Sequence, residues 1–588
     1  MATKREPLRL EVLVPHLKKR KGLVALALFF IIVGSGLELW VPVLLATFVD
    51  DALDRQPLAD LTQLAATYLI ASFATQGFKA ISTYLGTRVG WGVSNDLRFA
   101  STQHLLTLDT DYFAETSQGA LIERVDGDIT AIAKVFSHFA VQVVSSVILL
   151  VGIFWVLFQR SGFAGLMMAA LVVVIVTFMA ATRSLAVSAA EEERGISAMI
   201  YGFIEERVAA IDDIRANGAG GYVMQRFAPI MHRYYKKAVA SWIKRSFIWV
   251  GSIGIFSAGA IIAIAVGGWL ALRGSITVGT VFLMYQYMLK LEDPIEQVTQ
   301  QLSEFQKSAA GLRRTKELME TSPTVERVGS SDLPEGALSL DVDKVSFAYE
   351  EDERTVLNNV SVSLSAGTKL GLLGRTGGGK STLTKLTARF FDPTEGTVSI
   401  GGIPLTEVST HSLRTKVAFV TQDVRLFAGT VRQNVTIFDS SVPDDLVESS
   451  VRAVGLGDWL DGLPDGIHTA IGVAGIGVSS GEAQLLAFAR AYLRDPGLVI
   501  LDEPSSRVDP ATEALLTSAI ERLTEGRTTI IIAHRLDTVR SADEILILDD
   551  GAIVEHGDRH VLANSDSVFA SMIAAASSGT FKQGGLKR

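Results

Sequence analysis

Six long apolar runs dominate the first half of the chain, at about 22–49, 61–86, 132–158, 162–182, 246–272 and 276–300. Each reaches or exceeds the ~20 residues a helix needs to cross a bilayer. Soluble cores rarely repeat such runs six times, so an all-α domain of six transmembrane helices is expected. Lys4, Arg5, Arg9, Lys18, Lys19, Arg20 and Lys21 precede the first run, and basic flanks stay in the cytoplasm. Leu8, Leu10, Val12, Leu13 and Leu17 give the same segment an apolar face that suits a helix lying on the membrane. The stretch after the first run carries Asp50, Asp51, Asp54 and Asp60 against Arg55, which fits the outside. Very short links near Arg160 and Arg273 make outer turns. The long, charged, proline-poor links at about 87–131 and 183–245 then fall in the cytoplasm and read as helical extensions of the spans.

The sixth span is expected to continue as a helix to about Glu320, where Thr321-Ser322-Pro323 breaks it. A polar linker with Pro334 and Gly336 follows. From Leu338 short β-runs alternate with helices, the sign of an α/β domain. The expected organisation is therefore an amphipathic segment at 1–21, a six-helix membrane domain at 22–320, a linker at 321–337, an α/β domain at 338–576 and a tail at 577–588.

A length of 588 residues agrees with several domains. A net charge of −9 gives no case for nucleic acid as a partner. Cysteine is absent, which excludes disulfides and cysteine metal sites. The first apolar run is longer than the about 7–15 residues of a signal peptide's core, so no cleavable leader is expected. Within the spans, Glu38, Gln76, Lys79, Tyr285, Gln286, Tyr287 and Lys290 are out of place. An ionisable residue at membrane depth is costly and by default a functional hypothesis. A purely structural Glu38–Lys79 pair is the alternative.

The clearest chemistry is in the second half. Gly374-Arg375-Thr376-Gly377-Gly378-Gly379-Lys380-Ser381 has the form G-x-x-x-x-G-K-S. An apolar strand, Lys369 to Leu373, precedes it, and a helix from Thr382 to Phe391 can follow. That is the strand–loop–helix setting of a phosphate-binding P-loop. The glycines let backbone N–H groups turn inward around a polyphosphate. Lys380 reaches the β- and γ-phosphates and the Ser381 hydroxyl holds Mg²⁺. Leu498-Val499-Ile500-Leu501-Asp502-Glu503 reads as a buried strand ending in two carboxylates. Asp502 would stand beside the Mg²⁺. Glu503 would orient a water for attack on the γ-phosphate. A further strand, Thr529 to Ile532, leads to His534, whose imidazole can contact the same phosphate.

Between these lies Val478-Ser479-Ser480-Gly481-Glu482-Ala483-Gln484, opening a helix over 485–493. With these motifs in place, nearly the whole chain resembles an ABC transporter half of the exporter type. The resemblance implies ATP and Mg²⁺ as ligands, held over Gly374 to Thr382, with Tyr349 stacking on adenine. It implies that Gln422 senses Mg²⁺ and the γ-phosphate. Ser479 and Gly481 fall in its signature motif, Asp509 in its D-loop and His534 at its switch histidine. In this family the signature serves the nucleotide of the opposite subunit, so a chain with one P-loop and one signature must pair with a second half-transporter chain. The bends near Asp111–Ser117 and Arg207–Arg215 correspond to its coupling helices. The expected setting is a bacterial plasma membrane, with the α/β domain in the cytoplasm and lipid around the spans. The cargo is an unidentified small molecule, lipid or peptide.

The resemblance also marks departures. The usual signature L-S-G-G-Q is here Val478-Ser479-Ser480-Gly481-Glu482, and Val473 stands where many exporters carry a glutamate. The Walker side is complete, with Lys380, Ser381, Gln422, Asp502, Glu503 and His534. Glu482 adds negative charge near a phosphate site. This asymmetry suggests a heterodimer of unequal ATP sites, with a homodimer bearing a tolerated variant as the alternative. Import by the same fold, or an ATP-binding regulatory subunit, are the competing functions.

Overall fold

The computed structural model describes residues 13–134, 137, 140–325, 329–349, 354–472, 475–503, 510–533 and 536–577. The basic residues Lys4, Arg5 and Arg9 and the tail from 578 lie outside them. The chain divides into two compact units: Met1–Thr107 with Thr116–Thr321, and Leu108–Glu115 with Ser322–Arg588.

The first unit is helical. Its long elements are α1 (Lys21–Leu53), α2 (Leu58–Leu105), α3 (Ala140–Arg160), α4 (Gly162–Ala209), α5 (Gly220–Leu272), α6 (Val278–Lys290) and α7 (Glu292–Glu320). The short turns before α4 and α6 are capped locally. Ser161 accepts from the Ala164 N–H and Thr277 from the Thr280 N–H, satisfying donors that a helix start leaves free. A core of Ile153, Leu157, Met168, Phe256, Ala263, Leu283, Met284 and Met288 joins α3 to α6. Gly259 makes room for Met288, and Gly251 faces the Phe178 ring, whereas a Cβ on Gly254 would meet nothing. So Gly251 and Gly259 in the fifth run allow close approach, whereas Gly254 does not.

Among the described residues, three helices are long and apolar enough to cross a membrane: Lys21–Leu53, Val141–Arg160 and Gly220–Leu272. Gly162–Phe178 is a shorter apolar helix. The second run lies inside α2, where Gln76 and Lys79 dilute its hydropathy. The sixth run is not one helix. It stops at Lys290 and restarts at Glu292. Pro294 has no N–H to give the Lys290 carbonyl, which accounts for the break. The link at 87–131 is more divided than expected. After α2 come short helices at Thr110–Glu115 and Gln118–Ile122, a π-helical turn at Glu123–Asp128 and a helix at Ile129–Lys134.

The second unit is mixed α/β. Strands β1 (Leu340–Phe347), β2 (Leu357–Leu364), β3 (Lys369–Gly374), β4 (Glu395–Ile400), β5 (Ile403–Pro404), β6 (Val417–Val420), β7 (Gly429–Thr430), β8 (Ala470–Ile471), β9 (Leu498–Asp502), β10 (Thr528–Ile532), β11 (Glu544–Asp549) and β12 (Ala552–Asp558) form three sheets. The antiparallel sheet runs β2-β1-β4-β5, the central sheet β12-β11-β3-β10-β9-β6, and β7 pairs with β8. In the central sheet β11, β3, β10, β9 and β6 are parallel. Every residue of β10 is buried, as expected of a strand covered on both faces. Alternation sorts β9: Leu498 and Ile500 enter one core, Val499 and Leu501 the other.

Candidate functional site

Parallel register fixes the site. Ile532 pairs with Leu372 on one side and Asp502 on the other. The carboxyl ends of β3, β10 and β9 therefore open together, the place where α/β sheets bind ligands. The loop after β3 carries the P-loop. Gly374, Gly377 and Gly379 have φ of 144°, 81° and 97°, values that favour glycine. A Cβ on Gly374 would run into the Leu548 carbonyl. Gly379 caps α8 (Lys380–Thr387), which stops short of the expected Phe391.

Lys380 is buried, and its Nζ donates to the carbonyls of Gly374 at 2.9 Å and Arg375 at 2.8 Å. Burial pushes the ammonium below its usual range, and the Glu503 and Asp502 carboxylates oppose that shift. The lysine thus folds back over the loop, its ammonium held by two backbone carbonyls. Ser381 follows at the helix start, where free N–H groups favour an anion. Thr382 Oγ1 lies 3.1 Å from the Tyr349 hydroxyl. The Tyr349 ring is edge-on to Phe347 and Phe391, so the aromatic is anchored to α8 as well as to the strand before it.

Asp502 ends β9. Glu503 follows with φ of 47°, a left-handed conformation unusual for its type, and its N–H donates to the Ile532 carbonyl at 3.2 Å. Gln422 Nε2 donates to Glu503 Oε2 at 2.9 Å. This brings together two residues that the sequence placed 81 positions apart. The amide oxygen of Gln422, the Ser381 hydroxyl and the Asp502 carboxylate are hard oxygen donors, the set Mg²⁺ prefers. No group of three His, Cys, Asp or Glu able to hold a metal exists among the described residues.

The signature opens α9 (Ser480–Leu493), whose Leu485 and Phe488 pack in the core that holds Val499 and Leu501. Ser479 is its N-cap and accepts from the Glu482 N–H at 3.3 Å, while Glu482 Oε2 accepts from the Ser479 N–H at 2.7 Å. This is a reciprocal capping box. The Glu482 carboxylate, the negative charge noted in the sequence, is thus held on its own backbone. Gly481 is buried, and a Cβ there would strike Thr512. His534, Asp509, Val473 and the rest of Ser506-Arg507-Val508-Asp509 lie outside the described residues.

In the membrane unit, Lys79 Nζ lies 2.6 Å from Glu38 Oε1, so the pair given as an alternative from the sequence forms. Lys290 joins it at 3.7 Å, a partner that the sequence gave no means to assign. The three line a cavity of about 230 Å³. Gln76, Tyr285 and Gln286 are not among its lining.

The chain's relatives agree with this anatomy. Residues 24–291 match the family model described as ABC transporter transmembrane region, and residues 357–506 the model described as ABC transporter. An uncharacterised ABC transporter ATP-binding protein of Bacillus subtilis is 28% identical over 95% of this chain and 92% of its own length. An ATP-dependent lipid A-core flippase of Desulfotalea psychrophila is 31% identical over 88% of this chain and 91% of its own. The solved structure of a bacterial Atm1-family ABC exporter with ATP bound superposes with a TM-score of 0.78 at 23% identity, covering 96% of this chain and 99% of that one. A helical membrane-spanning unit, a P-loop unit built to bind and hydrolyse ATP, and relatives matched along nearly their whole length establish that the chain belongs to the ABC transporter family, with the exporter fold.

Proposed function

We propose that this chain is one half of an ATP-driven exporter in a bacterial plasma membrane, with its nucleotide unit in the cytoplasm and a different half-transporter chain as its partner. The observation that carries this reading is the contrast between the two faces of the nucleotide unit. The Walker face keeps Lys380, Ser381, Gln422, Asp502 and Glu503. The signature face carries Ser480 and Glu482, and its first N–H is already taken by the Glu482 carboxylate. Unlike the usual glutamine, that carboxylate puts a negative charge where a partner's γ-phosphate would dock, so the two ATP sites of a pair would be unequal.

On the Walker face, Lys380 exchanges its two loop carbonyls for β- and γ-phosphate oxygens, and the α8 start adds its N–H groups. Ser381, Gln422 and Asp502 would hold Mg²⁺, which when bound would supply positive charge to the phosphate oxygens. Glu503 accepts a hydrogen bond from the attacking water and takes its proton, with Gln422 Nε2 fixing the carboxylate's angle. His534 and Asp509 belong to the same site by resemblance, and Tyr349 offers its ring to the adenine. The lipid A-core flippase among the relatives supports an amphipathic, lipid-like cargo. The test compares ATP turnover by the chain purified alone in lipid with turnover beside any membrane partner that co-purifies. Activity that appears only with the partner is expected. Full activity from the single chain overturns the heterodimer.

A further inference from the structure

The cavity at Glu38 is bounded by α1, α2, α3 and the break between α6 and α7, and its polar lining includes Ser35, Glu38, Lys79, Gln142, Lys290 and Gln297. Both lysines approach the same oxygen of Glu38, Oε1, at 2.6 and 3.7 Å. The other oxygen, Oε2, is buried and has no hydrogen-bond partner. An ionised carboxylate accepts on both oxygens, and leaving one unmet in a buried setting is costly. At membrane depth the cost is higher still. Asp293 also lines the cavity, so two carboxylates face two ammonium groups and the site has no net charge to attract an anion. What stays unmet is one acceptor, Glu38 Oε2. The terminal torsion of Glu is soft, so a small rotation presents Oε2 to the cavity. At about 230 Å³ the space is below the roughly 300–1,000 Å³ of drug-sized pockets, enough for a polar headgroup and not for a whole amphipathic molecule.

We propose that this cavity is the headgroup subsite for the cargo and that Glu38 Oε2 selects a group that donates hydrogen bonds, an ammonium or a hydroxyl, over an anionic one. As a cargo site it rests on the exporter reading above. As a binding site it does not. The test uses the full-length chain in lipid nanodiscs, together with any co-purifying partner, and measures equilibrium binding without ATP. Four probes share one alkyl chain: octylammonium, octyl glucoside, octyltrimethylammonium and octyl phosphate, each below its micellar concentration. At least one of the first two should bind about tenfold more tightly than the last two, the ratio expected of one charge-assisted hydrogen bond. Which of the two binds tells ammonium from hydroxyl. Glu38→Gln should erase that preference, because the amide now presents a donor to a donor. If that variant misfolds, Glu38→Asp, which draws the carboxylate back by one methylene, should weaken the same preference, and the probe order on the unaltered protein stands by itself. Tightest binding of octyl phosphate, equal binding of all four, or no binding overturns the proposal. Because no ATP is present, absent ATP-driven transport would remove the exporter reading and leave the binding result intact.

Discussion

Arg314 and Asp128 should not be equally costly to remove, although they form one ion pair. Asp128 ends the π-helical turn, and its side chain is only 4% exposed, whereas that of Arg314 on α7 is 41% exposed. The guanidinium is bidentate, with Nε 2.7 Å from Asp128 Oδ2 and Nη2 on Oδ1. Gly311 lies so close that a Cβ would stand 3.2 Å from three Asp128 atoms, which keeps the carboxylate enclosed. Arg314→Met therefore leaves a buried charge without its main partner. Breaking a buried pair this way costs about 3–5 kcal/mol, reduced here to about 2–3 because the arginine side is half open to water. Asp128→Asn leaves an arginine that can swing into solvent and loses about 1 kcal/mol. The expected gap is about 1–2 kcal/mol, with the double variant closer to Asp128→Asn than to the sum. Thermal unfolding in detergent, followed by tryptophan fluorescence without nucleotide, ranks the variants. Equal losses, or a larger loss for Asp128→Asn, would refute the argument from unequal burial.

Glu503→Gln should slow phosphate release by about 10²–10⁴-fold while labelled ATP still binds, since the lost proton acceptor acts after binding. Gly279→Ala would push a Cβ into the Ala46 carbonyl and the Asp50 carboxylate, which accepts from the Gly279 N–H at 2.6 Å. A loss of about 1–3 kcal/mol should appear as a lower unfolding temperature, while Gly254→Ala, facing open space, should not lower it. Asp109 accepts from the N–H and hydroxyl of Thr324 and from the Val325 N–H. Asp109→Ala should speed hydrogen exchange at those two amides by about tenfold, read by mass spectrometry, with no change at β10.

Local signals carried much of this structure. The P-loop was legible because glycine spacing, an apolar strand and a helix start coincide within one segment, and β10 because Thr529 to Ile532 has no polar interruption. The α6–α7 break left a signal too, in Pro294 and in the polar residues Lys290, Glu292 and Asp293 before it, which the run's apolar first half masks. Other features depend on distance. The Gln422–Glu503 bond and the approach of Lys290 to Glu38 join segments whose neighbourhood only the packed fold sets. Glu482 is instructive in another way. As a charge counted along the chain it looked repulsive, whereas its spacing from Ser479 is that of a capping box, a signal the sequence did carry.

Leu108–Glu115 lies between helices of the membrane unit yet packs as part of the nucleotide unit, with Leu108 buried and Asp109 bonded to the start of the linker. This constrains how the protein can be taken apart. A fragment begun at Ser322 would be missing a piece of its own fold, and its first residues would lose the carboxylate that orders them. Grafting this nucleotide unit onto the membrane unit of a relative would succeed only if residues 108–115 travelled with it. In exchanging halves among such transporters, the seam lies at three points along the polypeptide and not at one.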